Sequence, residues 1–400
     1  MRQATFVADL PPDDEAIIAQ EETEHGWRAL TARGEILDVR SRNGAKAAMP
    51  DGDEVLMIVR GAAPVRRARS IREQLHIPDY LIHFDRALAL NRANQNEEAL
   101  TEIDAAIAMA PTLYAGFNRA MILLALGRWR EGFYEYRQCE MRRPFMRQRV
   151  ADAIDAGLKV WNGEDITGKR LLLMHTHGFG DTIMVLRYVP MLRAIGADVV
   201  LMVPDELTAL AAQFAPVVDG LDDADFVCPL LHVVGMLSVM PADVSGNPYL
   251  HVDAEAVARA RGRLGPGHHV GIAWSTTVQR PEDYPRAIPL DKLVAALGGA
   301  RLHSVQKQAG LAALEHGVQV HELKNFSECA ALMLAMDRIV SVDTAALHLA
   351  GAIGHPRVDG LLSHWASWRW LAPWYANVKL RQQAVAGDWD SALAQLDRAG

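Results

Sequence analysis

The spacing of apolar positions changes character twice along the chain. Over residues 1 to about 75, short apolar runs at Thr5 to Ala8, Ile36 to Val39 and Val55 to Val59 lie among Gly, Pro and Asp, which predicts a few short strands in a small N-terminal segment. From Pro78 the period becomes helical: Phe117, Ala120, Met121 and Leu124 fall at i, i+3, i+4 and i+7 and lay one apolar stripe on a helix. After Trp161 short apolar runs alternate with helical stretches. Arg170 to Met174 predicts a strand, Thr182 to Ile195 a helix and Asp198 to Val203 a second strand, and His269 to Trp274, Leu302 to Val305, Val318 to His321 and Arg338 to Val342 continue the strand series. Unbroken apolar runs separated by helices suit parallel sheets buried on both faces. Gly265-Pro266-Gly267 divides the runs into two groups and reads as a hinge. The fold class expected is therefore α/β, with two Rossmann-like lobes over about 165–262 and 263–385 and a C-terminal helix over 386–400.

The helical part nearly repeats itself between Leu81 and Pro144 with an offset of 33: Asn94 matches Gly127, Ala99 matches Gly132, Ala106 matches Cys139 and Pro111 matches Pro144. That is close to the ~34-residue period of the tetratricopeptide helix-turn-helix, in which small residues let paired helices approach and a proline ends the second one. Residues 78–150 are thus expected to hold two α-helical repeats. A solenoid core needs about three, so the pair must pack on a neighbour, and its open surface suits a protein partner.

At 400 residues the chain should hold two or three domains at roughly 150 residues each. Its net charge of -8 argues against a general nucleic-acid binder, since phosphate backbones select basic surfaces. Arg60 to Arg72 and Arg142 to Arg149 are arginine-rich and read as solvated faces or linkers. Cys139, Cys228 and Cys329 have no metal-ligand spacing and make no disulfide framework, which fits a reducing cytoplasm. Met1 to Gln20 carries acidic residues in place of a basic start and an apolar run, so no signal peptide is expected. The apolar stretch Leu230 to Ala242 falls short of the ~18–20 residues of a membrane span.

Two strand-to-helix corners carry the candidate chemistry. The first is HGFGDTIMVLRYVP, His177 to Pro190: Gly178 and Gly180 permit a tight turn, and Asp181 lies at the helix start, where the dipole favours an ionised carboxylate. Asp181 reads either as the base that takes a proton from an incoming hydroxyl or as a cap of its own helix. The second is SVDTAALHLAGAIGHP, Ser341 to Pro356, where Asp343 and Thr344 end a strand and the N–H groups of Thr344, Ala345 and Ala346 face the crevice, a geometry that binds phosphate. His348, one turn on, reads as a ligand contact or as a core histidine, and Thr344 as a ligand contact or a cap. Lys307, ending SVQK, supplies a point charge for a diphosphate, and Arg286 in RAIPL is a phosphate or acceptor contact or a surface ion pair. Trp365, Trp368, Trp370 and Trp374 read as a stacking platform or as core. Asp223-Ala224-Asp225 and Asp388-Trp389-Asp390 have a metal-holding form that arises easily by chance, and no metal or other cofactor is expected.

In order along the chain, GFYEYR at Gly132 to Arg137, Trp161-Asn162-Gly163, HGFGDTIMVLRYVP, RAIPL, SVQK, SVDTAALHLAGAIGHP, PWYANVKL at Pro373 to Leu380 and GDW at Gly387 to Trp389 resemble bacterial tetratricopeptide proteins with a heptosyltransferase-like domain, over roughly residues 80 to 392. The resemblance implies a GT-B fold with an acceptor-side lobe and a donor lobe, and inverting, metal-independent transfer from a nucleotide-diphosphate sugar to a protein or surface-glycan acceptor. It implies that Asp181 is the general base, that Asp343, Thr344, Ala345 and His348 cradle the donor diphosphate, and that Lys307 contacts the donor, with Gly178, Gly180 and Arg286 in support. The chain departs from such relatives at Thr176-His177, where they carry Glu-Gln, and at Asn325 to Cys329 and Leu361 to His364. A chain whose transferase lobes have decayed, leaving the repeats as a protein-binding scaffold, is the alternative. A Rossmann oxidoreductase is disfavoured, because the first turn lacks G-x-G-x-x-G.

Overall fold

The computed structural model describes residues 17–23, 26–31, 35–41, 47–48, 54–64, 79–221, 223–276, 286–307 and 310–397. The chain divides into two compact units, Met1–Arg147 and Gln148–Gly400.

In the first unit β1 (Ile17–Thr23), β2 (Gly26–Thr31), β3 (Glu35–Ser41), β4 (Ala47–Ala48) and β5 (Glu54–Pro64) form an antiparallel sheet in the order β1-β2-β3-β5-β4. The expected runs Ile36 to Val39 and Val55 to Val59 lie in β3 and β5, while Thr5 to Ala8 falls outside the described residues. Strands β1 and β2 escape an apolar-run criterion because Gln20, Glu21, Glu22 and Arg28 interrupt them.

Helices α1 (Asp79–Arg92), α2 (Asn96–Met109), α3 (Leu113–Ala125), α4 (Trp129–Glu140) and α5 (Pro144–Asp155) follow, with α1 packed on α2 and α3 on α4 as hairpins. Their turns repeat one backbone geometry. Asn94 and Gly127 take φ of 61° and 74°. At the first turn the Asn94 and Gln95 N–H groups bond the Asn91 and Leu90 carbonyls at 3.0 and 2.9 Å; at the second, Gly127 and Arg128 bond Leu124 and Leu123 at 3.1 and 2.9 Å. This is a helix end closed by a left-handed residue, where Gly and Asn carry the least strain. Helix α5 extends the series beyond the two repeats expected and closes alike, with Gly157 at φ 88° and the Leu158 N–H on the Ala153 carbonyl at 2.9 Å. Close packing at the second hairpin depends on small residues: a methyl on Gly132 would lie 2.9 Å from Leu124 Cδ2. The buried face of α3 is shifted from the expected stripe: Ala120 and Leu124 are buried as expected, Ile122 and Leu123 join them, and Phe117 and Met121 are half-buried. The helix meets α2 as well as α4.

The second unit holds two parallel sheets. One, ordered β6-β9-β7-β8, comprises β6 (Lys159–Val160), β7 (Arg170–Met174), β8 (Asp198–Met202) and β9 (Phe226–Pro229). The other, ordered β11-β10-β12-β13-β14, comprises β10 (His269–Ala273), β11 (Arg301–Ser304), β12 (Arg338–Val342), β13 (Val358–Leu362) and β14 (Val378–Gln382). Every residue of β10, β12 and β13 is buried, which is why their sequences show no alternation. The helices are α6 (Phe179–Leu186), α7 (Val189–Ala194), α8 (Asp205–Ala211), α9 (Val233–Met236), α10 (Ala254–Leu264), α11 (Leu290–Ala296), α12 (Gly310–Glu315), α13 (Phe326–Leu334), α14 (Ala345–Ala352) and α15 (Trp389–Leu393). The α/β expectation of two Rossmann-type lobes, the GT-B-like pairing, agrees with this topology. Apart from the two-residue edge strand β6, the first sheet runs from β7 to β8 on one side and β9 on the other, and the second from β10 to β11 and β12, so each has a switch point, between β7 and β9 and between β10 and β12.

Three expectations are corrected. The helix expected over Thr182 to Ile195 is two, α6 and α7, broken beside Pro190, whose nitrogen has no proton to donate. Val318 to His321 is no strand: it makes one isolated bridge, Gln319 to His303. The C-terminal helix is confined to α15 among the described residues, where Trp389 and Ala392 join Val340, Leu361 and Leu293 in the second-lobe core. Fully burying an aliphatic side chain there stabilises by roughly 1.5–3 kcal/mol.

One charged cluster is sealed within the second sheet. Arg338 of β12 donates from Nε and Nη2 to Asp359 Oδ2 of β13 at 2.9 and 2.6 Å, and Arg381 of β14 donates from Nε to Oδ1 at 3.0 Å. Among the described residues no helix is long and apolar enough to cross a membrane. The three cysteines are free and buried.

Candidate functional site

The first corner leaves the carboxyl end of β7 at its switch point and opens α6. Gly178 occupies the N-cap position, and its N–H donates to Asp181 Oδ2 at 3.2 Å. The other oxygen, Oδ1, accepts from Arg369 Nε at 2.5 Å. Asp181 therefore does help to close its helix start, but with one oxygen only. Burial is the largest influence on this carboxyl and pushes its pKa up. The Arg369 charge, His177, the Arg369 hydrogen bond and His348 together outweigh burial and hold it below the usual carboxylate value.

The second corner leaves β12 at the other switch point. Asp343 is buried, and Arg286 Nη1 lies 3.5 Å from both its carboxylate and its carbonyl oxygen. Thr344 stands at the N-cap of α14 without capping it, since its hydroxyl pairs with Ser341 Oγ at 3.1 Å. Among the described residues the N–H groups of Ala345 and Ala346 meet no acceptor. His348 is buried, its Nδ1 3.0 Å from the Tyr375 hydroxyl and its ring stacked on Trp370 with centroids 4.6 Å apart. Its remaining edge faces Gly180: a methyl there would stand 2.7 Å from His348 Cδ2 and 3.4 Å from Ala345 Cα. The two corners thus touch through a glycine.

Lys307 sits half-exposed beside the same place, but its ammonium pairs with Glu206 of α8, in the other lobe, and lies 5.5 Å from the Phe179 ring centroid. Phe179 in turn packs on Phe326 at 5.1 Å, so the stretch Asn325 to Cys329 starts α13 against the first corner. Arg187 joins the lobes too, its guanidinium 4.3 Å from the Tyr249 ring centroid and donating to the Trp374 carbonyl at 2.8 Å.

Arg369, Glu206, Tyr375 and Arg187 are absent from the sequence-derived site, although Arg187 and Tyr375 stand in the quoted motifs HGFGDTIMVLRYVP and PWYANVKL and Arg369 is a charge set between two tryptophans. Of the tryptophans read as platform or core, Trp368, Trp370 and Trp374 are buried, and Trp370 stacks on His348. The two Asp-x-Asp pairs serve the scaffold: Asp225 accepts from the Arg170 N–H at 2.8 Å, Asp388 caps α15 and Asp390 pairs with Lys292 at 2.7 Å. Among the described residues no group of three or more His, Cys, Asp or Glu is gathered as for a metal ion.

Burial brings the His348 pKa down to about 4 despite Asp343 and Asp181, which raise it. An unfolded histidine titrates near 6.5, so the unfolded chain binds more protons and the folded state loses stability as pH falls from about 6.5 to about 4. His348→Gln, which removes this group's share, is expected to flatten the melting temperature against pH over that window. An unchanged slope would show that His348 is protonated in the fold.

Fold and site together define a two-lobed α/β protein in which one strand-to-helix corner from each lobe meets the other at the switch points. No family model matches the chain. Protein FlbA of Caulobacter vibrioides is 27% identical over 375 residues, covering 80% of this chain and 61% of FlbA, so the chain spans under two thirds of that relative's length. Among solved structures, the fold is similar to the glycosyl transferase family 9 protein from Veillonella parvula (TM-score 0.43, 10% identity, 60% of this chain and 92% of that one). It is also similar to the ADP-heptose lipopolysaccharide heptosyltransferase II of E. coli (TM-score 0.38, 12% identity, 56% and 99%).

Proposed function

We propose that this chain is a glycosyltransferase that passes a sugar from a nucleotide-diphosphate donor to a hydroxyl of a protein or glycan acceptor, with inversion and without a metal. The observation that carries this is the contact of the Asp181 corner with the Ala345–His348 corner through Gly180. It puts a carboxylate beside bare helix-start amides, which is what the displacement requires. The acceptor oxygen bonds to the anomeric carbon, its proton passes to Asp181, and the bond to the donor diphosphate breaks with its electron pair on the leaving oxygen. The amides of Ala345 and Ala346, with Lys307, stabilise that charge; one such donor contributes about 3–4 kcal/mol to the barrier in comparable sites. Arg286 steadies Asp343, and His348, neutral and fixed by Tyr375, lines the pocket. The helical hairpins, read as tetratricopeptide-type repeats, are a surface for a protein partner, and the cytoplasm is the proposed compartment.

The decayed-scaffold reading draws on one observation: the charges of the site are paired with one another, Asp181 with Arg369, Lys307 with Glu206 and Asp343 with Arg286. A thermal-shift panel of ADP, UDP, GDP and CMP separates the two readings. A ligand at 100 times its dissociation constant adds about 2.7 kcal/mol to stability. At least one nucleotide is expected to raise the melting temperature by several degrees at millimolar concentration, and a flat response to all four would favour the scaffold.

A further inference from the structure

The Asp181–Arg369 pair spans the two lobes at the point where their corners touch. Arg369 belongs to the segment that follows β13; its Nε reaches Asp181 Oδ1 at 2.5 Å and its Nη1 donates to Ser367 Oγ at 3.2 Å. The two side chains are only 20% and 15% exposed, so water does little to loosen them. A guanidinium bonded this closely stabilises the ionised carboxylate and so makes it a weaker acceptor for the proton of an acceptor hydroxyl. Its other oxygen is held by the Gly178 N–H at 3.2 Å. The resting carboxylate is therefore a poorer base than it is without Arg369.

The release is built into the geometry. Gly180 packs against Ala345 and His348 at the α14 start, and Arg369 is bonded to the next residue, Asp181, which sets its guanidinium beside the corner proposed to hold the donor diphosphate. A diphosphate brings more negative charge than a single carboxylate, and a guanidinium fork matches phosphate oxygens in pairs. We propose that Arg369 is a shared cation that leaves Asp181 for the incoming diphosphate, so that donor binding itself uncovers the base. This rests on the glycosyltransferase reading. It makes binding ordered, donor before acceptor, and makes Arg369 a donor contact as well as a positioning residue.

A double-mutant cycle on nucleotide affinity tests it without any need for transfer activity. ADP, UDP and GDP are titrated calorimetrically into the full chain as wild type, Asp181→Asn, Arg369→Ala, Arg369→Lys and the Asp181→Asn/Arg369→Ala double variant. Arg369→Ala is expected to weaken the binding nucleotide about tenfold or more, with Arg369→Lys between it and wild type. Asp181→Asn, which frees the guanidinium, is expected to tighten binding several-fold, and the gain is expected to vanish in the double variant. If Asp181→Asn tightens binding as much with Ala at 369 as with Arg, the gain is relief of repulsion from Asp181 and the shared-cation proposal fails. It fails equally if both Arg369 variants bind as wild type does, and in either case the transferase reading stands. Absence of any ADP, UDP or GDP binding by wild type and Asp181→Asn would overturn that reading and this inference together.

Discussion

Asp181→Ala is expected to lower the transfer rate by about 10²- to 10⁴-fold, the span that a positioned general base contributes, while the variant still binds nucleotide. The separation follows from where the atoms lie. Asp181 stands at the start of α6, whereas the Ala345 and Ala346 amides proposed to hold the donor belong to α14. Burial raises the Asp181 pKa, but Arg369 and the other nearby groups carry it below the ordinary carboxylate value, so the base is ionised throughout the neutral range and its loss is not an effect of pH. Asp181→Asn, nearly the same shape but unable to take the proton, is expected to be as slow. Single-turnover transfer with a donor shown to bind measures both. Undiminished transfer by either variant removes Asp181 as the base and leaves its hydrogen bond to Gly178 as its role.

Asp359→Ala is expected to lower the unfolding free energy by about 3–5 kcal/mol, read from urea denaturation. Asp359 is 1% exposed and the Arg338 side chain 3%, and the two are bonded twice, so removing the carboxylate leaves a guanidinium buried beside β13 with, among the described residues, only the Asp397 carbonyl, 3.1 Å from its Nη1, as acceptor. Replacing the buried pair with apolar residues of similar volume, Arg338→Met with Asp359→Leu, is expected to cost much less: the loss comes mainly from the uncompensated Arg338 charge, while Arg381, the other partner of Asp359, is less buried and keeps Asp397 Oδ2 at 3.6 Å. Equal losses in the single and double variants would show that packing around Asp359, and not charge burial, sets the cost.

The parts of the fold that were legible in the sequence are those fixed by local pattern. Strands β7, β10 and β12 are apolar on both faces and short, and the turn residues Asn94 and Gly127 mark equivalent helix ends because few other residues adopt their backbone. Both corners could be read because a strand, a glycine or small-residue turn and a helix follow one another in sequence. The pairing of those corners could not, since it depends on Gly180 meeting His348 far along the chain. Arg369 was missed for the same reason: 188 residues separate it from Asp181, and nothing near it in sequence announces a carboxylate. Lys307 stood among the candidate residues but its partner did not, because Glu206 lies on α8 of the opposite lobe and looks like an ordinary first-turn acid. Pro190 explains the broken helix after the first corner, and the charges within β1 and β2 explain why those strands were not read.

The hydrogen atom that Gly180 carries in place of a side chain acts as the spacer between the lobes. His348 cannot swing aside, being stacked on Trp370 and bonded to Tyr375, so even a methyl at residue 180 must be accommodated by displacing one lobe. The resting width of the crevice is thus written in the volume of a single residue.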